Sequence, residues 1–413
     1  MMDNAAYRNA LAIDVGTSFV EVALLDVAQR QVLASARRPN QQIFFGTNVV
    51  ARLSAALEGN SEALQRAAQE SVLDALAQLG RGSVDDILAE VGRIVVAANS
   101  VMAPLFCGEV PHGLAQAPFD PSDITRCRTG PLIDIWHAAR GDETLEIEMI
   151  RPLDAFVGGD ARAALIATGL AEIGGETGGS VPFVPNGRSG PDIAITSGTN
   201  GTDPPVSPAS RLIVDLGTNA EIMLRKGADL FVTSVPAGPT FEGMIGGNIS
   251  GLRGTDVIRM LADRVQNGAI DREGLVIDSI ASLPLTQEDV RDFQLAKAAV
   301  RTGIDMLLTH AHVSAEDISS FSLVGAFGSH LDTEAAATIG LFSPQLPKPS
   351  PPDYDRCATQ GSIDLNGLSN AALIGATVVA LGSSSELAGE FTHVDLVHDE
   401  GFNTSFLNAL KFA

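Results

Sequence analysis

The sequence predicts an α/β protein built from two related domains that face each other across a cleft. One hairpin motif occurs twice, at residues 11–24 and 212–224. Around each copy, apolar residues switch between the two-residue period of strands and the 3.6-residue period of helices. With 413 residues, 45% of them hydrophobic, the chain can fill two cores.

Residues 11–24 read LAIDVGTSFVEVAL, and residues 212–224 read LIVDLGTNAEIML. Each is an apolar run ending in Asp, then Gly-Thr, a small polar turn and an alternating strand. That pattern predicts a β-hairpin turning at Gly-Thr. Asp14 and Asp215 end the first strand of each copy, a spacing that suits two domains and not a short-period solenoid. Between the copies, helical spacing covers 49–59 and 61–80, and VGRIVVAAN (91–99) reads as a buried strand. Residues 151–170 read as a strand, a glycine turn and a helix opening at Asp160. Residues 174–210 are rich in Gly, Pro, Ser and Thr, and predict a loop or inserted hairpin at a domain boundary. The expected division is 1–173, 174–210 and 211–413. In the second part, 254–268 and 289–313 predict helices, and 321–332 a strand, a glycine turn and a helix start. Residues 368–381 predict a small-residue helix, and 389–406 a final strand.

Composition narrows the function. The chain has 27 Lys plus Arg against 50 Asp plus Glu, a formal charge of −23. Such a balance argues against nucleic acid and anionic membranes. It suits a partner with basic patches, or reflects an acidic proteome. The three cysteines, Cys107, Cys127 and Cys357, form no CxxC pair, so no iron–sulfur cluster is expected in this chain. The opening MMDNAAYRNALAIDV lacks a signal-peptide pattern, and no apolar run reaches membrane-spanning length. A cytoplasmic protein is expected.

The repeated turns suggest a chemistry. Phosphates need backbone N–H groups from turns of small residues, and Mg²⁺ needs carboxylates, often through water. Gly16, Thr17 and Ser18 can form one phosphate turn, and Gly217, Thr218 and Asn219 a second. Asp14 and Asp215 would then converge on hydrated Mg²⁺. Gly325, Ala326, Phe327 and Gly328 fit a turn against which adenosine lies. Asp160, at a helix start, is placed to orient a water or polar group near the γ-phosphate. One such hairpin alone would be an ordinary tight turn. The pair followed by the glycine turn predicts MgATP binding. No GxxxxGK[ST] loop or strand–GxGxxG–helix unit is present.

This order of motifs resembles the actin, heat-shock-chaperone and sugar-kinase superfamily, with two actin-like ATPase domains on ribonuclease H-like sheets. There, helices such as 160–170 and 370–381 join the halves at a hinge. A closer resemblance, over nearly the whole chain, is to the ATP-dependent reductive activators of corrinoid proteins. It rests on NQQIFFGTNVVARL (40–53), NSVMAPLFCG (99–108), FVGGDARAAL (156–165), DLGTNAEI (215–222), VPAGPTFEG (235–243), ISGLRG (249–254), LVGAFGSHLD (323–332) and GLSNAALIGA (367–376). The resemblance implies ATP-assisted return of a cobalt(II) corrinoid to cobalt(I), with a corrinoid protein of a methyltransferase system as partner. Family members usually carry an N-terminal ferredoxin domain, and this sequence has no four-cysteine cluster motif, so either that domain was cut away or a separate ferredoxin-type protein donates electrons. Pairing of two copies is left open. Asn99-Ser100 replaces a turn that usually begins with Gly, which predicts a smaller polar role there. Ala220 and Ala326 stand where glycine is usual, which predicts a weaker nucleotide grip.

Other residues carry two readings each. Glu242 could orient water or contact ribose, or simply complement a helix start. Arg253 could face a phosphate or a surface carboxylate. Cys107 could approach a corrinoid or be a buried thiol, and helix 289–313 could be a partner surface or core. Trp136 and His137 read as packing or surface residues. His310 and His312 lie on different helix faces and predict no metal site. Besides the activator, two functions stay open: a small-molecule kinase with Asp160 as base, and a non-catalytic relative.

Overall fold

The computed structural model describes residues 7–121, 124–171, 210–217, 219–238, 254–277, 286–328, 331–352, 354, 363–365, 367–385, 387, 390–396 and 398–413. Thr218, Glu242, Arg253, Cys357 and most of the predicted 174–210 segment lie outside them.

The first hairpin grows into a meander of β1 (Asn9–Val15), β2 (Phe19–Asp26) and β3 (Gln31–Pro39). Strand β4 (Val91–Ala98) lies parallel to β1, and β5 (Arg126–Cys127) and β6 (Ile147–Met149) extend that edge in the order β3-β2-β1-β4-β6-β5. The helices of this half are α1 (Val49–Ala55), α2 (Ser61–Ala77), α3 (Val84–Glu90), α4 (Met102–Phe106), α5 (Pro131–Arg140) and α6 (Gly159–Ala167).

The second hairpin repeats the plan. Strands β7 (Ser210–Leu216), β8 (Asn219–Lys226) and β9 (Asp229–Pro236) form the meander, and β10 (Ile318–Val324) lies parallel to β7. The short β11 (Phe391–His393) adds parallel to β9. Helices α7 (Gly254–Gln266), α8 (Gln287–His310), α9 (Gly325–Gly328), α10 (Thr333–Thr338), α11 (Ala371–Ala380) and α12 (Phe402–Ala409) complete it. The repeat seen in sequence is therefore a repeated four-strand unit, β3-β2-β1-β4 and β9-β8-β7-β10.

Strand alternation sorts side chains into layers. On β1, Leu11, Ile13 and Val15 pack outward against α2 and α5, whereas Ala10 and Ala12 face the middle of the molecule. On β7, Leu212, Val214 and Leu216 pack outward with α7 and α8, and Ile213 faces the middle. The middle layer is α6 and α11, sandwiched between the two sheets. Both helices are rich in alanine, so their backbones come close. A Cβ on Gly375 would stand 2.0 Å from Ala163 O.

Each middle helix is held at its C-terminus by arginines of the opposite half. Arg93 Nη1 donates to Val379 O (2.8 Å) and Arg30 Nη1 to Leu381 O (3.0 Å), at the end of α11. Arg225 Nε donates to Leu170 O (3.0 Å) and Arg211 Nη2 to Gly169 O (3.4 Å), just beyond α6. A cation there complements the helix dipole by about 0.3–1 kcal/mol, more when partly buried. The two helices expected at a hinge are thus clamped crosswise.

Four expectations are revised. No strand forms at 151–158; the partner of β4 is Ile147–Met149, and Asp154 and Val157 close a small turn instead. The tail 389–406 adds the expected final strand only as the short β11, and the unexpected part is helix α12, which packs on α8. The helix at 49–59 ends at Ala55, followed by a wider turn kinked at Gly59. Helix α8 begins at Gln287, where Thr286 and Asp289 form a capping box. The apolar face of α8 is core, including Val290, Phe293 and Ile304. Trp136 is core too, its Nε1 donating to Val91 O at 2.9 Å. No helix among the described residues is long and apolar enough to cross a membrane.

Candidate functional site

Period-two alternation places both hairpin aspartates. Asp14 follows Ala10 and Ala12 on the middle face of β1, and Asp215 follows Ile213 on the middle face of β7. Each sits at the strand's C-terminal end, just beyond the cover of the middle helices. The turns follow at once. Gly16 N–H donates to Phe19 O (2.9 Å), and Gly217 N–H to Asn219 O (3.1 Å). The second turn is one residue shorter, with Leu216 opposite Ala220 where the first has Val15 opposite Val20.

The helices α6 and α11 point their N-termini at the same place. Asp160 lies in the first turn of α6. Asn370 caps α11, accepting from Ala372 N–H (3.0 Å), while its Nδ2 donates to Asp14 Oδ2 (2.7 Å). One side chain thus ties the helix of one half to the aspartate of the other.

These elements enclose a cleft lined by Asp14, Gly16, Thr17, Ser18, Asp160, Asp215, Gly217, Asn219 and Gly325 from the sequence expectation. Gly325 is indispensable as glycine: its φ is +85°, and a Cβ would meet Asp215 Oδ1 at 2.2 Å. The third glycine motif therefore abuts the end of β7, beside the second hairpin turn. Gly328 instead lines a neighbouring 280 Å³ pocket with Leu323, Pro351, Tyr354 and Leu368. Thr218 and Glu242 are outside the described residues, as are the side chains of Ala326 and Phe327.

Sequence reasoning missed Glu21 and Glu221, which also line the cleft. They are the cross-strand partners of Asp14 and Asp215. Both were visible as the glutamate that follows Asp-x-Gly-Thr, four residues after the Thr in the first copy and three in the shorter second, at Glu21 and Glu221. Like charges directly opposed on a sheet are destabilising, so the same choice made twice marks function. Asn370 was missed as well; its signal is an N-cap residue before an all-apolar helix.

Two expectations about weak spots are corrected. Asn99 lines the cleft, donates to Thr17 Oγ1 (3.3 Å) and accepts from Met102 N–H (2.9 Å) at the start of α4, so its polar role is substantial. Ala220 is an ordinary buried strand residue, so alanine strains nothing there, whereas the expectation for Ala326 falls on a side chain outside the described residues.

The cleft is intensely acidic. Burial pushes Asp215 up to about 7, with the Asp160 charge adding to it. Burial likewise pushes Asp160 up to about 6, against the Ala161 N–H that stabilises its charge. Asp14 is raised well above the usual range by burial and by Glu21, partly offset by Asn370. Glu221 is raised by burial, then Asp160 and Asp215. The one cation at the rim among the described residues is Arg37, paired with Glu21 at 3.2 Å and stacked 3.7 Å from the Phe19 ring.

A cluster of carboxylates that resist ionisation fits a hydrated divalent cation. No group of three or more His, Cys, Asp or Glu among the described residues is set for direct metal ligation, so water would complete the shell. The raised values also set a pH dependence. Folded pKa values of about 6 and 7 lie above the ordinary 3.8. The stability these protons contribute is complete below about pH 4 and lost as pH rises through 7. We expect the melting temperature of a double Asp160→Asn/Asp215→Asn variant to gain on the parent progressively from pH 4 to pH 8. A flat difference would show both groups to be ordinary acids.

Two related sheets with paired turns and a carboxylate cleft between them define a protein of the actin-like ATPase fold. A solved structure described as "Reductive activator for corrinoid,iron-sulfur protein" superposes with a TM-score of 0.70 at 22% identity, over 99% of this chain and 67% of that one. Two models of consecutive regions match the chain: the RACo middle region at residues 9–173, and the C-terminal domain of RACo, the ASKHA domain, at 209–247 and 277–413. The chain belongs to this family of reductive corrinoid activators. It is similar to the corrinoid activation enzyme RamQ of Eubacterium limosum, 26% identical over 97% of this chain and 70% of that protein. It is also similar to the [Co(II) methylated amine-specific corrinoid protein] reductase of Methanosarcina barkeri, 23% identical over 51% of this chain and 47% of that one.

Proposed function

We propose that this chain is an ATP-driven activator that promotes reduction of a corrinoid protein of a methyltransferase system from cobalt(II) to cobalt(I). The observation that carries the nucleotide half of this reading is the convergence of Asp14, Asp160 and Asp215 between two phosphate-type turns. The similarity to corrinoid activators supports the other half. Asp14 and Asp215 would hold hydrated Mg²⁺, which neutralises phosphate charge when bound. Thr17 and Ser18 on one side, and Thr218 and Asn219 on the other, would supply donors to the phosphates, while the N–H groups of Gly16 and Gly217 close the turns. Asn370 keeps Asp14 oriented and Asp160 orders polar groups at the start of α6. The domain division at 174–210 belongs to the same proposal.

Cleft closure on nucleotide would move the two sheets about the joint made by α6 and α11, and so can change the surface offered to a partner. The electron would come from a one-electron donor of the ferredoxin type; Cys107 and Cys127 are buried in the core behind the first sheet. The test is anaerobic spectroscopy of a cobalt(II) corrinoid protein with a low-potential donor, this chain and MgATP. Cobalt(I) should accumulate only when chain and ATP are both present. Equal accumulation without either overturns the reading.

A further inference from the structure

The segment that follows the first meander is wired into the first phosphate turn. Asn40 Nδ2 donates to Gly16 O (2.8 Å), and Asn40 N–H to Ser18 O (2.9 Å). Arg52, only 1% exposed, donates through Nη2 to Thr17 O (2.6 Å), through Nε to Gly46 O (3.0 Å) and through Nη1 to Gln42 Oε1 (3.2 Å). Every residue of the turn is therefore held, through its carbonyl, by this segment. The hydrogen-bond partners of the guanidinium among the described residues are neutral, and burial pushes it down to about 10. A buried cation without a carboxylate is costly. It gains when an anion settles on the turn above it, so turn and segment must respond together.

Outward, the same segment is apolar. Phe44 is 85% exposed and Val50 67%, with Ile43 and Leu57 also exposed. Between Pro39 and Leu57, Arg52 is the one charged residue, and it is buried. On a chain of charge −23 this makes a neutral, apolar face. Nucleic acid or an anionic membrane gains nothing there, whereas a protein with an apolar contact surface does. The other exposed apolar residues differ. Phe119 and Phe156 pack on each other with ring centroids 4.9 Å apart, and Leu275, Ile277, Leu295 and Leu407 lie in the second half, on segments with no described hydrogen bond to a phosphate turn.

We propose that residues 41–57 are the nucleotide-responsive docking surface for the corrinoid protein, coupled to the first phosphate turn through Asn40 and Arg52. This rests on the reading of the chain as a corrinoid activator. The partner is the protein whose affinity must change with the nucleotide, and this face is the apolar surface mechanically joined to the nucleotide turn. Arg52 is a positioning residue here: it acts through the Thr17 carbonyl and touches no phosphate.

The test uses the full chain, MgATP and the cobalt(II) corrinoid protein that it reactivates. The double variant Phe44→Ser/Val50→Ser should bind MgATP as the parent does and lose at least about ten-fold in affinity for the corrinoid protein. Arg52→Lys keeps the charge and loses the planar fork. It should bind the partner with nearly the same affinity whether or not MgATP is present. Hydrogen exchange on the parent chain gives a readout free of variants: the corrinoid protein should protect residues 41–57. Undiminished partner binding by the double variant, or unchanged exchange across 41–57, overturns the docking surface and leaves the activator reading standing. Failure of the parent chain to bind any corrinoid protein in any nucleotide state removes both.

Discussion

Asp215→Asn should make the ligand-free protein more stable and abolish MgATP binding. Asp215 is held at about 7 by burial and by Asp160, so near neutral pH its charge opposes folding. A shift of one pKa unit is worth about 1.4 kcal/mol. The cleft admits water, which lowers the charge penalty, so a gain of about 1–3 kcal/mol is expected, seen as a melting temperature higher by a few degrees. The same substitution removes a carboxylate that would anchor the cation, and affinity for MgATP should fall by at least about 100-fold in calorimetry. Opposite signs for stability and binding are the mark of a site residue. A destabilised variant that still binds MgATP would make Asp215 a structural carboxylate.

Gly375→Ala should be among the most damaging single-methyl changes in the chain. The added Cβ would stand 2.0 Å from Ala163 O and 2.4 Å from Ala163 C. Those are backbone atoms of α6, which cannot rotate aside as a side chain does. The only relief is to separate α6 from α11, and with them the two sheets they join. Overpacking of this kind costs about 1–3 kcal/mol, and more where backbone must move. Chemical denaturation should show a lower midpoint with an unchanged slope. MgATP should bind more weakly as well, because Asp160 and Asn370 stand at the starts of these helices. An unchanged midpoint would mean that the helices slide freely, and the middle layer would not be the rigid joint described here.

The repeat was readable because it is local. An Asp at the end of an apolar run, followed by Gly-Thr, defines strand, turn and strand within fourteen residues. The paired sheets follow from finding it twice. The glutamates opposite the aspartates, Glu21 and Glu221, were in the same two strings, but alternation along a strand does not say which face is covered. Which face of a strand meets water depends on what covers it, and here α6 and α11 stop short of the last residues. The doubt about Ala220 failed for a related reason: the second turn is shorter by one residue, so position 220 is strand and not turn.

Arg52 shows the harder limit. In sequence it is one arginine in NVVARL, at a helical position where a surface charge is ordinary. Its burial follows from three partners on separate segments, Thr17, Gln42 and Met102. Likewise, nothing local sends Arg30 and Arg225 to the ends of helices that belong to the other half.

The sequence by itself determined the fold class, the pairing of two domains, the aspartates and the glycine turns, because each depends on short-range periodicity or backbone conformation. The tertiary structure alone decided which acids share one cleft, that Asn370 crosses between halves to hold Asp14, and that the segment after β3 is bonded to the first hairpin turn. Those are long-range facts, set by how two sheets pack on a common pair of helices. No pattern along the chain records the distance between residues that only folding brings together.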